Sequence, residues 1–155
     1  MKKAIAILLI LCFSFVLISC TALQDKVLLS LGKYDSSETY SDILFQDLTE
    51  YSKYYFTTAT LHDNKYFYKV TEQKISNFNE HLADFEMCVN GLRESDPTHE
   101  LVINYDFDSS IIDNEDYIYI NSDSERKGDT IHFYSYDIYF YDTQTNVLYY
   151  FHNNI

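Results

Sequence analysis

Tryptophan is absent from the 155 residues, proline occurs once, as Pro97, and glycine only three times. So little glycine leaves no material for a phosphate-cradling loop, a Gly-x-Ser-x-Gly nucleophile elbow or a flexible linker. Cysteine is equally scarce, with Cys12, Cys20 and Cys88 and no Cys-x-x-Cys pair. None of the five histidines (His62, His81, His99, His132, His152) stands in an HExxH or other recognised metal or catalytic spacing. Long apolar sequence is missing too. The run from Ala4 to Ile18 covers 15 residues, whereas a helix needs about 20 to cross the hydrocarbon core of a bilayer.

What the N-terminus does contain is ordered. Lys2 and Lys3 supply a positive start, the apolar run follows, and it closes on Leu17-Ile18-Ser19-Cys20. A basic start, a short apolar core and a small residue at the end form a cleavable export signal. The last four residues resemble the lipobox of bacterial lipoproteins. That resemblance implies a diacylglyceryl thioether on Cys20, cleavage between Ser19 and Cys20, and a protein held by lipid on the exported side of a bacterial envelope membrane. Thr21 stands where lipoproteins retained in an inner membrane often carry Asp, so the resemblance points to the outer membrane where a cell has two.

Removal of residues 1–19 leaves 136 residues, the size of one domain. We expect residues 20–37 to be a tether or short helix, since Leu23, Val27 and Leu31 recur at four-residue steps, and residues 38–155 to be a single acidic, Tyr-rich domain. In the processed chain nine basic residues face 24 acidic ones, a formal charge of −15. Phosphate repels such a surface, which excludes nucleic acid as a partner and leaves membrane attachment to the lipid chains. Cys88 is the one thiol left in the domain, so no internal disulfide forms, and the expectation is a small core residue. Sixteen Tyr and 11 Phe favour strands with amphipathic faces.

Along the chain, Tyr40 to Leu48 fits a short helix and Tyr51 to Thr60 a strand. His62, Asp63 and Asn64 read as a turn. The clearest element is a helix from Thr71 to Asn90: Thr71 is a suitable N-cap, and Ile75, Phe78, Leu82, Phe85 and Val89 form one stripe at intervals of 3, 4, 3 and 4. Gly91 is the expected stop. Alternation then predicts strands at Leu101 to Phe107, Tyr117 to Ile120 and Ile131 to Tyr141, a turn over 142–146, and a last strand from Val147 to Phe151. The fold class expected is α+β, one long helix packed on an antiparallel meander of four to five strands. In element order alone this resembles cystatin-like folds, and the resemblance carries no function.

Chemistry-bearing clusters are thin. His81 and Cys88 lie two turns apart on the long helix, about 10 Å along its axis, too far for a hydrogen-bonded dyad. Asp106 with Asp108, Asp113 with Glu115 and Asp116, and Asp123 with Glu125 and Asp129 are oxygen-rich, but Gly128 is misplaced for an EF-hand and no Glu closes the loop. We therefore expect no metal, no cofactor and no enzyme. Tyr134 and Tyr136 on one strand face, with Tyr139 and Tyr141 on the other, are the candidate binding surface, because a phenol is an apolar plate with a polar tip. The expected function is a membrane-tethered, outward-facing binding domain for a protein or cell-wall glycan. The alternative is an acidic inhibitor or immunity-type protein directed at a cationic wall-lytic enzyme.

Overall fold

A computed structural model describes residues 26–44, 47–128 and 130–154. The export signal, Ser19 and Cys20 lie outside the described residues. The fold is α+β: a six-stranded, wholly antiparallel sheet with helices on both faces. In chain order the elements are helix α1 (26–31), β1 (Ser36–Leu44), β2 (Asp47–Tyr55), β3 (Tyr68–Lys69), α2 (Glu72–Ser95), α3 (Glu100–Asn104), a 3₁₀ turn (Ser109–Ile111), β4 (Tyr117–Lys127), β5 (Thr130–Asp142) and β6 (Val147–Asn154). The spatial order is β1-β2-β6-β5-β4-β3. β4, β5 and β6 form the expected meander, and the early β1–β2 hairpin adds to its far side through β2 and β6, raising the strand count above the four to five expected.

Each sheet face has its own core. The α2 stripe of Phe78, Leu82, Phe85 and Val89 packs on Tyr51, Ile118, Tyr136, Ile138, Phe140 and Phe151. On the opposite face Val27, Leu28 and Leu31 of α1 pack with Tyr54, Phe56, Phe67, Tyr139, Tyr141 and Leu148. Residues 26–37 thus belong to the folded body, and the segment expected as tether or short helix contributes its first packed element.

Several expectations are corrected. Tyr40 to Leu48 is not a helix: Tyr40 pairs with Tyr51 and Ile43 with Leu48 across the β1–β2 hairpin, so the spacing that mimicked a helical face is two strand faces interrupted by a turn. The second strand begins at Asp47 and ends at Tyr55, short of Thr60. Thr71 does cap α2, its hydroxyl accepting from the Lys74 N–H, but Gly91 does not stop the helix, which runs to Ser95 and ends just before Pro97. Leu92 supplies the reason, since it packs against the α2 core and rewards the extra turn. The Leu101 to Phe107 strand is instead the short helix α3, started by His99, whose Nδ1 accepts from the Leu101 N–H at 3.2 Å. Leu101 and Val102 are both buried, and adjacent burial is a helical contact pattern rather than an alternating one.

Candidate functional site

Among the described residues β1 and β3 border the sheet, and β4 is left open along most of one side because β3 runs out. β3 covers only Tyr117 and Ile118, while β4 continues to Lys127. Among the described residues no strand pairs with that side from Tyr119 onward. The ladder fixes which groups are left open. Val70 N–H donates to the Asp116 carbonyl at 3.0 Å and Tyr68 pairs with Ile118 two residues on. Antiparallel alternation therefore aims the N–H and C=O of Ile120 and Ser122 toward the open side, and those of their neighbours toward β5.

Beside this edge lies a cleft of about 780 Å³, walled by β4 at Ile118, Tyr119 and Ile120 and by α2 at Gln73, Asn77 and Glu80. Lys74 reaches over the Tyr68 ring, 4.1 Å from its centroid, and Arg126 approaches Glu80 at 3.4 Å across the cleft. The arrangement offers main-chain donors and acceptors along β4 and amide, ammonium and carboxylate side chains along α2, with the Tyr68 ring of β3 beside Lys74. An extended chain laid beside β4 satisfies both, the geometry of strand addition to an exposed sheet edge.

The four tyrosines named from the sequence do not form a surface. Tyr136, Tyr139 and Tyr141 are 1%, 0% and 1% exposed, and only Tyr134 reaches solvent, at 44%. Two causes combine. The face opposite α2 is roofed by α1 and the segment carrying Phe56 and Phe67. In addition, Asp123 pairs with Ser135 and Ser124 with Phe133, so Tyr134 is an unpaired bulge residue. The bulge puts Phe133 on the same face as Tyr136, their rings 5.5 Å apart, and turns Tyr134 outward, where its hydroxyl donates to Glu125. Burial raises the pKa of Tyr139 and Tyr141, the latter to about 12.

His81 is buried between Phe133 and Tyr136, with Nδ1 2.8 Å from the Asn77 carbonyl and Nε2 without a partner. Burial lowers its pKa. Cys88 is half-buried rather than a core residue. Asn153 Nδ2 lies 3.4 Å from both its Sγ and Asp84 Oδ2, and Asp84 accepts from Tyr136 Oη at 2.9 Å. Burial pushes the thiol up, the opposite of what a nucleophilic thiolate needs. His152 and Tyr150 both bond Asp137, at 2.9 and 2.8 Å. Burial pushes the Asp137 carboxyl up, but these hydrogen bonds outweigh it and hold the group below the usual carboxylate range.

Several of the clustered carboxylates serve the fold. Asp108 caps the 3₁₀ turn through the Ser110 N–H, and Asp116 ties the 113–116 loop to the turn after β5. Glu125 pairs with Lys127 on the exposed hairpin, while Asp129 lies outside the described residues. Among the described residues no set of three or more His, Cys, Asp or Glu side chains is placed to hold a metal ion, and no helix is long and apolar enough to cross a membrane. No family model, curated protein or solved structure matches the chain.

The open edge was illegible in the sequence, because it depends on β3 stopping after two residues. Its one signal is the polar run Asn121 to Lys127, unusual for a strand that is covered on both sides.

Proposed function

We propose that the chain is an envelope lipoprotein, held by lipid on Cys20, whose exported domain binds an extended protein segment along the open edge of β4. The observation that carries the binding reading is the unpaired stretch from Tyr119 to Lys127 beside the α2 cleft. Main-chain hydrogen bonds supply affinity in such a mode and side-chain pockets supply selectivity. Lys74 puts a cation at this cleft, where Arg126 is already paired with Glu80, in a chain with 15 more acidic than basic residues after Cys20, which favours a carboxylate on the bound segment. The lipid reading rests on Lys2, Lys3, the short apolar run and Leu17-Ile18-Ser19-Cys20.

A random library of linear peptides, panned on the full-length protein, tests the edge. Peptides that bind should shift the amide resonances of Ile120 and Ser122. Ser122→Pro removes an N–H that the β4–β5 ladder does not use, so the variant should fold and lose binding at least about tenfold, a change of about 1.4 kcal/mol. Failure to enrich any peptide, or undiminished binding by a folded Ser122→Pro variant, rejects the edge. Intact mass and detergent phase partitioning test the tether. Expression in bacteria should give residues 20–155 plus lipid, and Cys20→Ala should abolish both the lipid and the processing.

A further inference from the structure

We infer that the domain stands end-on at the membrane, with α1 against the phospholipid headgroups and the β4–β5 hairpin turned away from them. This rests on the lipid tether just proposed. Cys20 and Lys26, where the described helix begins, are six peptide steps apart, and at most about 3.6 Å per residue the lipidated cysteine lies within roughly 22 Å of α1. The anchor therefore holds this end of the domain close to the lipid surface.

The outward face of α1 suits that surface. Lys26 and Leu29 are exposed on one side of the helix, Leu29 at 76%, while Val27, Leu28 and Leu31 point into the core. Lys33 and Tyr34 follow directly, and Lys65 is exposed on the adjoining loop. That loop is fixed to α1 by Asn64 Nδ2 donating to the Ser30 carbonyl at 3.0 Å and by Thr60 N–H donating to the Leu31 carbonyl at 2.8 Å. Lys26, Lys33 and Lys65, three of the nine basic residues after Cys20, are thus carried by α1 and the segments beside it, with Asp25 directly preceding Lys26 in the sequence. Two carboxylates on this rim have local partners: Asp35 accepts from the Thr57 hydroxyl, and Asp63 approaches His62 at 2.8 Å. An exposed leucine and a tyrosine among lysines is the composition that inserts at the headgroup level, the apolar parts entering and the ammonium groups reaching phosphate.

The sheet then sets the direction of everything else. α1 packs where β5 passes into β6: it shares a core with Phe56, Tyr141 and Leu148, and Phe56 N–H donates to the Asn146 carbonyl in the 142–147 turn. From Asp142 back to Thr130 the 13 residues of β5 rise about 3.3 Å each, so the β4–β5 turn lies roughly 40 Å from that end. The open part of β4, which leads to this turn, is directed away from the lipid and toward partners in the adjoining compartment.

Depth measurement with a fluorophore tests the orientation. In a Cys88→Ser background, Leu29→Cys, Met87→Cys and Tyr134→Cys are labelled in the lipidated chain and placed in phosphatidylcholine vesicles carrying a headgroup nitroxide. Met87 and Tyr134 are both exposed, on α2 across the sheet and on the distal hairpin. Quenching at position 29 should exceed that at 87 and 134 severalfold. Equal quenching at the three positions, or stronger quenching at 87 or 134, overturns the orientation while leaving the tether intact. A lipid-free mass instead overturns the tether and, with it, the orientation.

Discussion

At the scale of single residues, Asp116 shows how a side chain that looks like a cation ligand serves the fold. It is fully buried, with Oδ1 accepting from the Thr143 N–H and hydroxyl at 2.9 and 3.0 Å and Oδ2 accepting from the Asp113 N–H at 2.9 Å. Asp116→Ala strands two backbone donors, and stability to urea should fall by about 2–3 kcal/mol. Asp116→Asn keeps an oxygen for Thr143 but opposes an amide to the Asp113 N–H, so its loss should be intermediate. His81 presents the reverse case, a buried polar ring with an unused acceptor. His81→Phe keeps the packing against Phe133 and Tyr136 but removes both the unpartnered Nε2 and the Nδ1 contact to the Asn77 carbonyl, so at pH 7.5 the two effects oppose and the net change should stay within about 1 kcal/mol. Burial holds the folded His81 below its ordinary value, with the hydrogen bond to the Asn77 carbonyl and then Glu80 and Asp84 opposing that shift. The unfolded chain therefore takes up a proton near pH 6.5 while the folded chain still resists it, and stability falls as pH drops below about 6.5. Urea midpoints at pH 7.5 and 5.5 should diverge more for the wild type than for His81→Phe.

At the scale of elements, the sequence was readable where one element explained its own pattern. The 3-4-3-4 stripe of α2 and the alternation of β5 from Tyr136 to Tyr141 needed no knowledge of neighbours, whereas the bulge at Tyr134 did. It failed where two elements shared a pattern. Tyr40, Ile43 and Leu48 read as a helical face, yet they belong to β1 and β2 across a turn. Leu101, Ile103, Tyr105 and Phe107 read as a strand face, yet Ile103 is 66% exposed while its neighbour Val102 is buried against the rest of the fold. The candidate surface failed for a related reason: whether a tyrosine faces solvent depends on the element laid over the sheet, and α1 comes from a segment that read as tether. Gly91 gives a direct check on helix length. It lies inside α2, is exposed, and a Cβ built there meets nothing within 4 Å. Gly91→Ala should stabilise the protein by about 0.5–1 kcal/mol, measured by thermal or urea unfolding. A loss instead would place the end of α2 before Gly91.

At the scale of the whole molecule, charge and topology act against each other. The excess of acidic residues makes the compact state repel itself. Among the described residues several of the ion pairs that offset this are superficial: Lys69 with Glu115, Arg126 with Glu80 and Lys127 with Glu125 all involve side chains at least 42% exposed. Such pairs contribute about 0–1 kcal/mol each. Lys53 is the exception, since its side chain is 12% exposed between Glu38 and Asp106, and Asp106 also accepts from Tyr51 at 2.7 Å. That link ties β1 and β2 to the chain leaving α3, in the part of the sheet where the N-terminal hairpin meets the C-terminal strand β6. Repulsion acts over the whole surface, whereas the Lys53 ammonium, 12% exposed, is less reached by salt. Raising the ionic strength from about 0.01 M to about 0.1 M shortens the screening length from about 30 Å to about 10 Å, weakening the general repulsion more than the Lys53 contacts. The urea midpoint should therefore rise with sodium chloride over that range, and Lys53→Met should lower it at both salt concentrations by a similar amount. A midpoint that falls with salt would mean that the exposed pairs, and not the sheltered one, hold the acidic sheet together.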